Sequence, residues 1–219
     1  MQSPGYHPWF SYAIATQPFA SKRSHYQTLL LGTSESPELL EAFEKLLPHL
    51  PEPRHLDDVV QELRDNLRSF PEAMLGEVGL DRSFRIPIDY FSSPRELTPF
   101  TIPLEHQLSI LEAQLDLATD LGRNVSLHSV KCQQATTALL SRMRSRHGER
   151  WSRISIDFHS CGFSPEMWQS IEAGDRHFIA SLISNIIAER ASQYISLVIR
   201  NHQRQKAEPQ TVNSCLCTR

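Results

Sequence analysis

The sequence predicts an α/β protein built on a parallel sheet, and two observations carry that prediction. From Pro37 onward, short apolar runs alternate with stretches whose apolar residues recur at helical spacing. Parallel neighbours also need a crossover between them, and the helix is that crossover. The alternation suits a closed barrel and an open sheet equally, and a chain of 219 residues is somewhat short of the ~250 typical of one (β/α)8 barrel.

Leu39, Leu40, Phe43, Leu46 and Leu47 predict a first helix, and Val59, Val60, Leu63 and Leu67 a second, with Pro48, Pro51 and Pro53 between them. Residues 74–81 are too short and glycine-rich for a helix and read as a buried strand. Leu104, Leu108, Leu111, Leu115 and Ala118 recur at three- and four-residue steps, and Gly122 stands where a helix end favours a left-handed residue. A strand over 124–128, a helix over about 133–146 and a strand over 153–159 follow. Ser164, Pro165 and Glu166 then supply cap, first-turn proline and first-turn acid for a helix ended by Gly174. Residues 178–183 read as a further strand and 191–201 as a weaker helix. Two stretches break the rhythm: 82–103, an ordered excursion with four prolines among aromatics, and 202–219, a polar and aperiodic tail expected to be flexible. The expected division is therefore one domain over 1–201 and a tail over 202–219.

Composition narrows the class. With 40% hydrophobic and 21% charged residues, the chain can bury a core and is no candidate for wholesale disorder. A net charge of -3 offers no broad grip on a phosphate backbone, so any nucleic-acid activity must rest on a local site. Cys132, Cys161, Cys215 and Cys217 show no paired spacing of a disulfide framework or zinc ribbon, and no apolar run approaches the ~20 residues of a membrane span. Cytoplasm or nucleus is the expected location, with no membrane partner.

Glu77, His128 and His159 fall at or near the C-terminal ends of three predicted strands, the edge at which parallel α/β proteins build sites. Two imidazoles and a carboxylate can hold a divalent metal and leave a coordination position open. Ten histidines in the chain leave a second reading open, in which these are hydrogen-bonded structural residues.

At these residues the chain resembles the TatD family of metal-dependent deoxyribonucleases, over residues 5–201. Gly5-Tyr6-His7-Pro8 is similar to the family's Gly-x-His-Pro strand end, and Gly76-Glu77-Val78-Gly79-Leu80-Asp81 to its Gly-Glu-x-Gly-Leu-Asp signature. The helix with Glu105, Gln107 and Gln114, the strand ending at His128 and the segment 158–162 continue the likeness. Residues 82–87 and Leu127-His128-Ser129-Val130-Lys131 look like the fungal branch of Cut-nine-interacting proteins.

The resemblance implies a (β/α)8 TIM-type barrel, incomplete here, whose two divalent ions (Mg, Mn or Zn) cut phosphodiester bonds of nucleic acid. It implies Glu77 as the catalytic carboxylate shared by both ions, with His128 and His159 completing one metal site. Asp81 would orient a ligand from behind, and His7 and Lys131 would face substrate, Lys131 standing where many relatives have arginine. The family's His-x-His strand and its late aspartate have no counterpart: Met1 stands four residues before Gly5, and the residues after Asn201 contain no aspartate, as a frame change or altered splice would leave them. One metal site is thus expected to be retained and the other lost, with impaired hydrolysis. The alternative is a non-catalytic adaptor on a degenerate barrel, its partner a cell-cycle or ubiquitin-ligase subunit as the branch name suggests; an amidohydrolase acting on a C–N bond is a third reading.

Overall fold

The computed structural model describes residues 4–174 and 178–180. An extended segment leads into a 3₁₀ turn, Pro8–Ala13, which Pro8 opens and the His7 ring caps by accepting from the Trp9 N–H. A two-residue strand β1 (Ile14–Ala15), helix α1 (Lys22–Tyr26), a π turn (Gln27–Leu31), helix α2 (Pro37–Leu46), a two-residue strand β2 (Arg54–His55) and helix α3 (Leu56–Ser69) come next, with β1 and β2 parallel. Short elements of this kind carry too few residues for a period to show, and the alternation did not predict those before α2. The predicted helices around Phe43 and Leu63 are α2 and α3.

Thereafter the chain runs β3 (Leu75–Asp81), α4 (Leu104–Leu121), β4 (Val125–Val130), α5 (Gln133–His147), β5 (Ile156–Cys161), α6 (Pro165–Gly174) and β6 (Phe178–Ala180). The four strands pair in chain order, β3-β4-β5-β6, and every pairing is parallel. This is the α/β alternation expected from the sequence. The described residues form a four-stranded parallel sheet and a separate two-stranded pair, without closing into a complete barrel. The strand expected over 153–159 starts only at Ile156, because Gly148–Arg153 forms a 3₁₀ turn that buries Trp151. The strand expected to end at His128 continues to Val130. Of the strand expected over 178–183, Phe178–Ala180 is present; its remainder, the helix over 191–201 and the tail with its boundary at 201 lie outside the described residues. No helix among the described residues is long and apolar enough to cross a membrane.

The main core forms where α3, α4 and α5 cover the sheet: Leu63, Leu67, Leu111, Leu115, Leu139 and Met143 are almost fully buried with Leu75, Val78, Leu127 and Phe158. Each large side chain of this kind contributes about 1.5–3 kcal/mol by leaving water. A second core joins Tyr26, Phe43 and Leu46 to Ile86, Phe100 and Ile102, with Phe43 and Phe100 packed edge to face at 6.5 Å. It pins both ends of the excursion over 82–103. The Thr98 hydroxyl, which donates to the Ile86 carbonyl at 2.6 Å, ties the two arms together.

The parallel register is broken in two places. Leu75 pairs with Val125 but Val78 with Leu127, so β3 carries one extra residue across Gly76 and Glu77; Leu127 pairs with Phe158 but His128 with Ser160, so β5 carries its extra residue at His159. Between them β3 and β4 approach closely at Gly79, where an added Cβ would stand 1.9 Å from the His128 carbonyl oxygen at a φ of +154°. Gly79→Ala is expected to cost well over ~3 kcal/mol or to prevent folding, because backbone rather than a flexible side chain must yield. Gly122→Ala, left-handed at φ 63° with open space around it, should cost only ~1–2 kcal/mol. Urea denaturation of the two variants beside the wild type checks the contrast, and equal losses would refute the close-approach explanation.

Candidate metal centre

Glu77, His128 and His7 come together at the C-terminal side of the sheet. His128 lies on β4, Glu77 in the bulge of β3, and His7 where the extended N-terminal segment enters its 3₁₀ turn. The Glu77 Oε1 atom lies 2.9 Å from His128 Nδ1 and 3.3 Å from His7 Nε2. One donor atom from each of the three fits within a span of 4.8 Å. His128 is 8% exposed at its side chain, His7 17% and Glu77 39%, so the carboxylate is the member that meets solvent. The three line an open cavity of about 1270 Å³ together with Trp9, Phe10, Tyr90, Glu62 and Phe70.

Local structure explains how they are held. Gln107 and Gln114 are both buried on α4. The Gln107 amide accepts from the Asp81 N–H at 2.8 Å and donates to the carbonyls of Asp81 and Ile102, fixing the end of β3. Gln114 accepts from the Tyr6 N–H at 2.8 Å and donates to the Tyr6 carbonyl, while the Gly76 N–H donates to the Pro4 carbonyl at 3.0 Å. The segment that carries His7 is thereby bonded to both α4 and β3.

Asp81 is a carboxylate with two duties. Its Oδ1 accepts from the N–H and hydroxyl of Ser83 and from the Phe84 N–H, closing the turn after β3. Its Oδ2 faces His128 Nε2 at 3.1 Å and accepts from the Trp9 indole N–H at 2.7 Å. Burial works to raise its pKa, but the hydrogen bonds from His128, Trp9 and Ser83 outweigh it and hold the carboxyl well below the usual range. Asp81 is therefore an anion behind His128, placed to accept a proton carried on the ring's Nε2. In the tautomer that gives its one proton to Asp81, the Nδ1 lone pair faces the Glu77 oxygen 2.9 Å away, an arrangement that a cation between the two would complete.

His7 differs. Its Nδ1 accepts from the Trp9 N–H at 3.2 Å, so a neutral ring carries its proton on Nε2, facing Glu77. Burial, followed by the nearby His128, lowers its pKa to about 4, and it is neutral at pH 7. The fixed tautomer makes His7 a hydrogen-bond donor into the cavity more than a ligand.

The donor set fits a divalent ion. Ligand atoms about 2.1 Å from a common ion are at most ~4.2 Å apart; Glu77 Oε1 and His128 Nδ1, 2.9 Å apart, meet that limit, and the set widens to 4.8 Å only when His7 is included. Of the expected residues, Glu77, His128, Asp81 and His7 are brought together. His159 lies on β5 at the bulge beside His128, and its side chain lies outside the described residues. Lys131 is exposed just past β4, at a positive φ of 53°, and is not among the residues lining the cavity. Trp9 was not anticipated, although its place two residues after His7 is a signal once that turn is known. The roles of Gln107 and Gln114 were not anticipated either; two glutamines seven apart on a helix that is otherwise apolar toward the sheet invite the question of what they satisfy.

A sequence profile of the TatD related DNase family matches residues 3–207. The chain is 30% identical over 159 residues to the Cut9-interacting protein scn1 of Schizosaccharomyces pombe, covering 67% of this chain and 44% of that protein. It is 35% identical over 132 residues to the uncharacterized deoxyribonuclease YMR262W of Saccharomyces cerevisiae, covering 58% of this chain and 39% of that protein. The chain thus spans less than half the length of these relatives.

Acid should expose the neutral state of His7. Above the unfolded pKa of about 6.5 neither state is protonated there; as pH falls toward 4, the unfolded chain takes the proton first, and stability drops. A loss on the order of 1–3 kcal/mol between pH 7 and pH 4 is expected from this group. His25 and His106, also lowered by burial, act in the same direction. Urea titrations at stepped pH should show a shallower decline for His7→Gln; an unchanged slope would contradict the assignment.

Proposed function

Since the chain belongs to the TatD related DNase family, we propose that it carries part of a divalent-metal-dependent phosphodiesterase site that acts on DNA. The observation that carries the reading is His128, held by Asp81 at Nε2 and presenting Nδ1 to a carboxylate. Glu77 and His128 are the proposed ligands among the residues with described side chains, and His159 is the proposed third. Magnesium, manganese and zinc all accept such a set. A divalent ion there supplies Lewis acidity toward a phosphoryl oxygen and toward the attacking water.

The chain's own groups do the rest. Asp81 fixes the His128 tautomer and makes the ring a better donor. The Nε2–H of His7, which faces Glu77 at 3.3 Å, would be available to a substrate phosphate oxygen where Glu77 holds a cation. Lys131 is assigned a weaker role, as a positive charge near the strand ends that cannot make the two-point contact of an arginine. Glu77, His128 and His159 are proposed to hold one ion, and hydrolysis with one ion in place is expected to be slow.

After dialysis against a divalent metal, elemental analysis should find about one ion per chain. Glu77→Ala and His128→Ala should each weaken retention by at least ~10-fold, and chelation should stop any hydrolysis of bis-p-nitrophenyl phosphate. A folded wild type that holds no ion would sink the proposal.

A second reading is favoured by the relative named for its interaction with Cut9: the chain binds a protein partner irrespective of the metal. Pull-down with wild type and Glu77→Ala separates the two, because an adaptor complex survives the substitution and a site-dependent one does not.

A further inference from the structure

The excursion over 82–103 does two unlike things. Ile86, Phe100 and Ile102 are buried in the second core and anchor it, whereas Phe91 is 92% exposed and meets the Tyr90 ring only edge to face. Phe91 is the last of a row of rings that starts at the metal centre. Phe10 stands 6.4 Å from the His7 ring, Tyr90 5.2 Å from Phe10, and Phe91 5.4 Å from Tyr90, centroid to centroid. Phe10 is itself 38% exposed, and both Phe10 and Tyr90 line the cavity that holds Glu77 and His128.

The row also carries a fixed positive charge. The Arg95 guanidinium lies 4.4 Å from the centre of the Tyr90 ring, and its Nε–H donates to the Tyr90 carbonyl at 2.8 Å. In a chain of net charge -3, a guanidinium held beside a line of rings leading from a phosphate-competent centre is a local complement to a strand's backbone. Rings offer stacking faces to any base, and a nearby cation meets the phosphate between bases.

We propose that Phe10, Tyr90 and Phe91, with Arg95, form a stacking platform for unpaired bases of a single-stranded nucleic acid whose reacting phosphate lies at the Glu77–His128 centre. The proposal deepens the phosphodiesterase reading and rests on it for the direction of the strand. Recognition is by ring faces and one charge, so it is tolerant of base sequence and demands unpaired bases. Duplex ends must fray to use it.

The test is fluorescence anisotropy with the full chain and calcium, using a labelled ten-nucleotide oligothymidylate and a strand of equal length and phosphate number that lacks bases. The base-bearing strand should bind about 5- to 100-fold more tightly, the range that stacking of a base or two supplies. Phe91→Ala should shrink that gap by about 5-fold or more, and Phe91→Trp should preserve it, with the melting temperature unchanged in both. Equal binding of the two strands, no binding, or a gap unaffected by Phe91→Ala overturns the proposal and leaves the ring row as a protein-docking surface. Metal retention by the same preparations reports separately on the phosphodiesterase reading. A chain that holds an ion but shows no gap loses the platform alone, and one that shows the gap without an ion loses the metal site alone.

Discussion

His128 stands between two carboxylates, with Nδ1 2.9 Å from Glu77 and Nε2 3.1 Å from Asp81, and the structure around it favours one of the two as the partner of an N–H. Asp81 is the better placed to receive it: it is almost fully buried and pressed from behind by Trp9, while the Glu77 carboxylate meets solvent. That allocation would turn a lone pair toward Glu77, and the proposed cation site rests on it. Much of the surrounding structure serves this one contact. Gln107 fixes the backbone of Asp81, Ser83 and Phe84 occupy its other oxygen, and the close approach at Gly79 brings β3 near enough to β4 for the carboxylate to reach the ring.

The sheet was legible in the sequence because its signal is periodic and local. The apolar stripe of α4, the buried run of β3 and the Ser164-Pro165-Glu166 start of α6 are each set by neighbours within one or two turns. The bulges were not legible. They arise where two strands of fixed length must bring particular residues into register, and nothing in the sequence of β3 says that Gly76 and Glu77 will together face fewer partners than they have residues. The tautomer of His7 was hidden for a similar reason, since it depends on a backbone N–H brought round by the 3₁₀ turn. Glu77, His128, Asp81 and His7 could be named from motif resemblance, but the division into ligand, orienting group and donor proposed for them draws on distances.

Helix α4 shows how one element can organise a site without entering it. Gln107 and Gln114 are seven residues apart, close to two helical turns, so both side chains leave the same face. One holds the end of β3 and the other the segment that carries His7. Each uses its amide as a substitute for the neighbouring strand that an extended backbone would otherwise pair with. The relative position of Asp81 and His7, from opposite ends of the first half of the chain, is thus referred to a single rigid rod.

The environment of Asp81 has one more implication. Every contact described at its two oxygens comes from a donor: two backbone N–H groups, a hydroxyl, an indole and an imidazole. An amide of identical shape must point its own NH2 at one side or the other, and either way it sets hydrogen against hydrogen. In one orientation the turn after β3 is disturbed; in the other, the His128 ring is driven to exchange its proton between nitrogens, which closes the lone pair to any cation. The position therefore discriminates between two side chains of nearly equal size by polarity alone.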